Sequence, residues 1–126
     1  MPAILQEVAV GVEMRKCEDV TVIDCTGPMT FGDGKPELRD TFLESLLSGE
    51  QQFVLNLSNV PYLDTSVLGE IVACWKRAAE RGAMVKVVLV PDGRVNKLFR
   101  LTGFEKVFEI LDDVEAAVAS YGRAQG

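Results

Sequence analysis

Asp64, Thr65 and Ser66 stand in a row between an apolar run and a strongly periodic one, and their side chains are the ones most open to chemistry. All three are of the type that caps a helix, accepting hydrogen bonds from backbone N–H groups that the first helical turn leaves without partners. A capping role explains them locally without any further function. The alternative is phosphoryl acceptance. A hydroxyl at the start of a helix, and at the carboxyl end of a parallel strand, is exposed and lies in the positive end of the helix dipole. Phosphate there adds about −1.5 to −2 charges to the surface. The neighbouring Asp64 carboxylate sharpens that change for any partner docking on the patch.

Other chemistry is poorly supplied. The chain has no histidine, which removes Ser-His-Asp, Cys-His and histidine-phosphate mechanisms and weakens any zinc site. Gly32-Asp33-Gly34-Lys35 loosely resembles a phosphate loop, but Pro36 follows the lysine and Met29 stands where a glycine is required. A plain turn is the better reading. Glu70, Glu80, Asp112 and Asp113 offer carboxylates, yet nothing in their spacing sets a pair across a cleft, so solvated faces or caps are expected. Trp75 falls on an apolar helical stripe and reads as core. Cys17, Cys25 and Cys74 are an odd number without CxxC spacing; free, mostly structural thiols in a reducing compartment are expected. No catalytic residue, metal or cofactor is called for.

The elements that must position Asp64, Thr65 and Ser66 are legible. Residues 53–58 (FVLNLS) read as a buried strand, with Phe53, Leu55 and Leu57 on one face and Val54 and Asn56 on the other. Pro61 then interrupts the ladder. Val67, Leu68, Ile71, Val72, Trp75, Ala78 and Ala79 recur at spacings of three and four, which predicts a helix packed on a sheet and closed by Gly82 as a left-handed cap. Upstream, Val8, Val10, Val12 and Met14 alternate with other residues as a half-buried strand. Residues 15–19 read as a turn and 20–26 (VTVIDCT) as a second strand, forming an antiparallel hairpin. Pro36 opens a helix with Leu38, Phe42, Leu46 and Leu47 on one face and Gly49 as its stop. Downstream, residues 84–90 (MVKVVLV) suit a central parallel strand. Asp92 is expected to cap a short helix carrying Val95, Leu98, Phe99 and Thr102 inward, with Gly103 ending it. A brief strand at 107–110 and a last helix, capped by Asp112 or Asp113 and lined by Val114, Ala117, Val118 and Tyr121, complete the pattern. The fold class is therefore α/β: a mixed β-sheet with an N-terminal antiparallel hairpin, parallel βαβ units in right-handed crossovers and about four helices.

A chain of 126 residues, 48% hydrophobic and 25% charged, fits one domain with a sizeable core. A net charge of −6 argues against nucleic acid or anionic lipid as partner, since both need clustered Lys and Arg. It permits a protein partner. No apolar run approaches a membrane span, and the opening Met-Pro-Ala-Ile-Leu-Gln-Glu has no basic or apolar region of the secretory type. A cytoplasmic location is expected.

With these residues laid out, the chain resembles the STAS domains, whose type members are bacterial anti-sigma factor antagonists. The run LNLSNVPYLDTSVLGEIV is similar to the family's apolar strand, Asp-Ser-Ser-Gly-Leu-Gly and apolar helix. Residues 95–104 (VNKLFRLTGF) are like its helix ending in Ser/Thr-Gly-Leu/Phe, and 23–27 like the strand ending in Thr-Gly. The resemblance implies a single STAS domain over residues 1–126, with its core at about 8–121. It also implies a non-enzymatic regulator that binds a kinase-type anti-sigma factor when unphosphorylated. That ATPase-type serine/threonine kinase would phosphorylate Thr65, with Ser66 ranked second, and a phosphatase would reverse it. Asp64, Thr65, Ser66, Val67, Leu68, Met29 and Thr30 would form the partner surface. Val67 stands where the family often has Gly, and Gly27-Pro28-Met29-Thr30 where it often has Gly-Glu-Leu-Asp. The competing readings are a constitutive or transporter-associated STAS scaffold without a phosphoswitch and, less supported, a small enzyme or nucleotide-binding protein.

Overall fold

A strand that is apolar on both faces has to be covered twice, and the middle of this chain holds several in succession. The computed structural model describes residues 9–122. Its strands are β1 (Gly11–Cys17), β2 (Val20–Thr26), β3 (Gln52–Asn59), β4 (Met84–Val88) and β5 (Glu109–Leu111). Its helices are α1 (Lys35–Leu47), α2 (Thr65–Glu80), α3 (Arg94–Thr102) and α4 (Val114–Ser120), with a short 3-10 turn at Phe104–Lys106. The five strands form one sheet in sequence order; β1 and β2 pair antiparallel and every later pair is parallel.

The crossovers through α1, α2 and α3 step the same way across the sheet, so the right-handed rule sets these helices on one face. There Leu38 and Phe42 of α1, Val67, Ile71 and Cys74 of α2 and Phe99 of α3 close over Ile23, Phe53, Leu55, Leu57, Val87 and Leu89. On the other face, among the described residues, α4 covers Val20, Val22, Val54 and Val88, through Ala117 with Val114, Val118 and Tyr121 around it. No helix among the described residues is long and apolar enough to cross a membrane.

The expected elements are present, with instructive differences. The first strand continues through Arg15, Lys16 and Cys17, and the hairpin turns on Glu18 and Asp19 alone, with Glu18 at φ 58. Polarity does not end an edge strand: Arg15 Nε donates to Asp24 Oδ2 across the ladder at 2.6 Å. Met14 is exposed for the same edge reason, and Val8 lies outside the described residues. Leu47 is 65% exposed. It stands one residue, about 100° of helix turn, beyond Leu46, which completes the inner row with Leu38 and Phe42. Asp92 does not cap α3; Gly93 holds that place and Asp92 itself is left-handed at φ 63. The strand expected over 84–90 ends at Val88, and the last strand begins at Glu109. Gly82 follows α2 at φ 74, the left-handed conformation its position requires.

Lys86, inside a central strand, is buried. Its Nζ donates to Ser120 Oγ at 2.8 Å and to the Ser120 carbonyl at 3.1 Å, pairs with Glu109 at 3.3 Å, and lies 4.2 Å from the Tyr121 ring centroid. Tyr121 in turn donates its hydroxyl to the Phe53 carbonyl at 2.7 Å. The end of α4 is thus fastened to β3 and β4 by polar contacts where its apolar face is small. Tyr121→Phe is expected to lower stability by about 0.5–1.5 kcal/mol, the worth of one such bond, read as a lower urea midpoint at unchanged slope.

Candidate functional site

At the carboxyl edge of the sheet, the chain leaving β2 runs beside the chain leaving β3. Gly27 N–H donates to Asn59 O at 3.0 Å, Met29 N–H to Tyr62 O at 3.1 Å, and Asp64 N–H to Met29 O at 3.2 Å. A Cβ on Gly27 would lie 2.9 Å from the Ala9 carbonyl oxygen, and its φ is +83, so only glycine lets the strands and loop meet there. Residues 30–33 then close a tight turn, Thr30 and Asp33 exchanging both backbone hydrogen bonds at 2.8 and 3.1 Å. The Gly32-Asp33-Gly34-Lys35 segment belongs to this turn and to the start of α1.

Asp64 is the N-cap of α2. Its Oδ1 accepts from Val67 N–H at 3.0 Å and from Ser66 Oγ at 2.7 Å, while Oδ2 accepts from Phe31 N–H at 3.0 Å. One carboxylate therefore ties the β2–α1 loop to the β3–α2 corner. The Ser66 hydroxyl foremost, with the Val67 and Phe31 amides, holds its carboxyl below the usual carboxylate range against partial burial. Thr65, between these two, is exposed, and its hydroxyl has no hydrogen-bond partner among the described residues.

The structure separates the residues expected on the partner surface into two groups. Asp64 and Ser66 are half-buried, Thr65 is exposed and Thr30 is half-buried beside the turn. Met29, Val67 and Leu68 are buried in the main core. Their side chains are corrected from surface to interior: Val67 and Leu68 are the first inward residues of α2, and Met29 is locked between the two loops by its backbone bonds. These three shape the surface from beneath.

Two aromatic side chains flank the site and carried no periodic signal. Phe31 is 69% exposed, with Lys35 Nζ 4.9 Å from its ring centroid. Tyr62 is also exposed, with the Arg94 guanidinium 5.5 Å from its ring. Their signal in the sequence is negative: each sits among turn residues, outside any stripe that could bury it. Glu70 departs from the expected solvated face. It is 7% exposed, paired with Arg77 at 3.2 Å and accepting from the Cys74 thiol at 3.8 Å. Its place was readable, three residues after Val67 and four before Cys74 on the inward stripe. Glu80 and Asp112 are exposed, and Asp113 caps α4 by accepting from Ala116 N–H at 2.8 Å. The three cysteines are free; burial pushes the Cys25 thiol up to about 12. Trp75 packs against the core, edge-on to Phe108. No group of three or more metal-ligating side chains occurs among the described residues.

Because the folded Asp64 carboxyl holds its proton less tightly than the unfolded one, it stabilises fully above the unfolded pKa of about 3.9. That contribution is lost as pH falls through the lower folded value. The urea-midpoint difference between wild type and Asp64→Ala is therefore expected to correspond to about 0.5–2 kcal/mol at neutral pH and to shrink below about pH 4.

Comparison with known proteins follows the same outline. The STAS domain model matches residues 11–117. The anti-sigma-B factor antagonist of Staphylococcus aureus is 28% identical over 80 residues, which cover 64% of this chain and 73% of that one. An anti-sigma factor antagonist from Mycobacterium paratuberculosis superposes with a TM-score of 0.79 at 18% identity, over 89% of this chain and 93% of that one. The Bacillus cell fate determinant SpoIIAA, in its phosphorylated form, does so with a TM-score of 0.64 at 18% identity, over 91% and 100%. At such identities these structures speak for the fold alone. The hairpin and the parallel crossovers are those of the STAS fold, and this chain belongs to the STAS domain family.

Proposed function

We propose that this protein is an anti-sigma factor antagonist: a cytoplasmic binding module, not an enzyme, that captures an anti-sigma factor and is switched off by phosphorylation at Thr65. The observation that carries the reading is the unequal state of two adjacent hydroxyls. Ser66 Oγ is committed to Asp64 at 2.7 Å, whereas Thr65 Oγ1 is exposed and unbonded among the described residues. The partner in this reading is an ATPase-type serine/threonine kinase. Thr65 Oγ1 attacks the terminal phosphoryl group of its ATP, ADP leaves, and the hydroxyl proton passes to a base of the kinase. A phosphatase returns the hydroxyl by hydrolysis. The antagonist relatives support the general role, and the existence of a phosphorylated form of SpoIIAA, which shares the fold, makes a phosphoswitch on this scaffold a natural reading.

The switch follows from charge at a crowded helix start. A dianion on Thr65 competes with the Asp64 carboxylate for the first amides of α2 and repels it. Asp64 also holds Phe31 N–H, so the repulsion reaches the exposed aromatic on the neighbouring loop. Docking then loses both its electrostatic match and the placement of an anchor side chain.

Incubation with such a kinase and ATP is expected to add one phosphate, located at Thr65 by fragment mass spectrometry and absent in Thr65→Ala. In titration calorimetry Thr65→Ala should bind the anti-sigma factor like wild type, and Thr65→Glu at least about 30-fold more weakly. Equal binding by all three would sink the switch and leave a constitutive scaffold. Phe31→Ala is expected to weaken the complex about tenfold or more while leaving the thermal midpoint unchanged, as an exposed anchor should.

A further inference from the structure

The outward face of α3 is cationic in an acidic chain. α3 turns Val95 and Phe99 into the core and leaves Arg94, Lys97, Arg100 and Leu101 in solvent. With Lys106 in the following 3-10 turn, residues 94–106 carry four cations and one carboxylate, Glu105, although the whole chain has a net charge of −6. Arg15, Lys16, Arg39, Arg77 and Lys86 each pair with a carboxylate within 4 Å. Among the described residues, none of the cations at 94–106 has such a partner; Lys35, Lys76 and Arg81 also lack one but lie on other elements. Their positions are nonetheless partly fixed. Arg94 lies over the Tyr62 ring at 5.5 Å, and Arg100 Nε donates to Asn96 Oδ1 at 3.2 Å, which leaves the far edge of the guanidinium free. Beside them Leu101 is 84% exposed, and Val107 is exposed in the next turn.

Like charges one helical turn apart repel, so this arrangement is a small cost to the isolated domain. It becomes favourable only against negative charge. We propose that this face docks a carboxylate-rich segment of a partner protein that brings one apolar side chain to cover Leu101 and Val107. The extent of the stripe favours a compact segment over an extended polyanion. α3 is about 14 Å long, and charge is felt over about 8 Å at physiological salt. A nucleic-acid strand or an anionic lipid plane would reach past it to Asp92 before the helix and Glu105 after it, in a molecule acidic elsewhere. Carboxylates also suit paired guanidinium and ammonium groups set at helical spacing. The surface requires no modification of Thr65 and stands independently of the function proposed above.

The test uses the full chain, labelled with ¹⁵N, and the fluorescein-labelled peptide Ser-Glu-Glu-Leu-Glu-Glu-Ser. Its counterpart with lysine for each glutamate, phosphatidylserine vesicles and oligothymidine serve as comparisons. The acidic peptide is expected to bind saturably, with amide shifts concentrated in α3, and to weaken with added salt. Lys97→Glu with Arg100→Glu should weaken it about tenfold or more, and Lys97→Gln with Arg100→Gln by a smaller factor. Leu101→Ser should weaken it about threefold or more with little change in salt dependence. Thermal melts establish that each variant is folded. Absence of binding, equal binding by the glutamate and glutamine variants and wild type, shifts centred away from α3, or tighter binding of vesicles or oligothymidine would each overturn the proposal.

Discussion

The site depends on one carboxylate. Asp64 accepts from the Phe31 amide on one oxygen and from the Ser66 hydroxyl and Val67 amide on the other. Capping a helix needs only the last of these. The bond to Phe31 makes the cap a tie between two loops that leave adjacent parallel strands, so the surface at the carboxyl edge of the sheet behaves as one body. Without that tie the β2–α1 loop would still be fastened through Met29, but its exposed tip would be free of α2. The same carboxylate uses up Ser66, and this sets the two neighbouring hydroxyls apart.

Beneath the site the sheet is covered unequally. One face carries three helices and a core rich in Leu and Phe; the other carries a helix of seven residues, α4. Apolar burial scales with covered area, so α4 has less of it to hold it in place. The polar contacts of Lys86 and Tyr121 supply the remainder. A buried ammonium is costly unless fully partnered, and here two oxygens of Ser120, the Glu109 carboxylate and an aromatic face surround it.

Much of this was legible before any coordinates. The alternation of Phe53, Leu55 and Leu57 and the stripe from Val67 to Ala78 describe β3 and α2 because burial on one face leaves a period in the chain. Asp64 was readable as a cap for a local reason: the amide it caps, that of Val67, lies three residues on. What distance in sequence separates was not readable. The Asp64–Phe31 bond spans 33 residues, and no spacing rule predicts it. Burial of Met29 follows from that same meeting of loops. Polar residues misled where solvent reaches both faces of a strand, as at Arg15 and Lys16 on the edge strand. They misled at Glu70 because a paired carboxylate can occupy an apolar stripe. The exposed Phe31, Tyr62 and Leu101 left no period, since nothing among the described residues buries them.

Thr65 sits at the first position of α2 with its side chain in solvent and outside every tie that holds the corner together. Its replacement by serine or alanine breaks none of the hydrogen bonds that hold the corner among the described residues. A change between small uncharged residues at this position is therefore felt mainly by whatever meets the surface. A hydroxyl can be kept there as serine or lost to alanine by a single replacement, while the architecture around it is inherited intact.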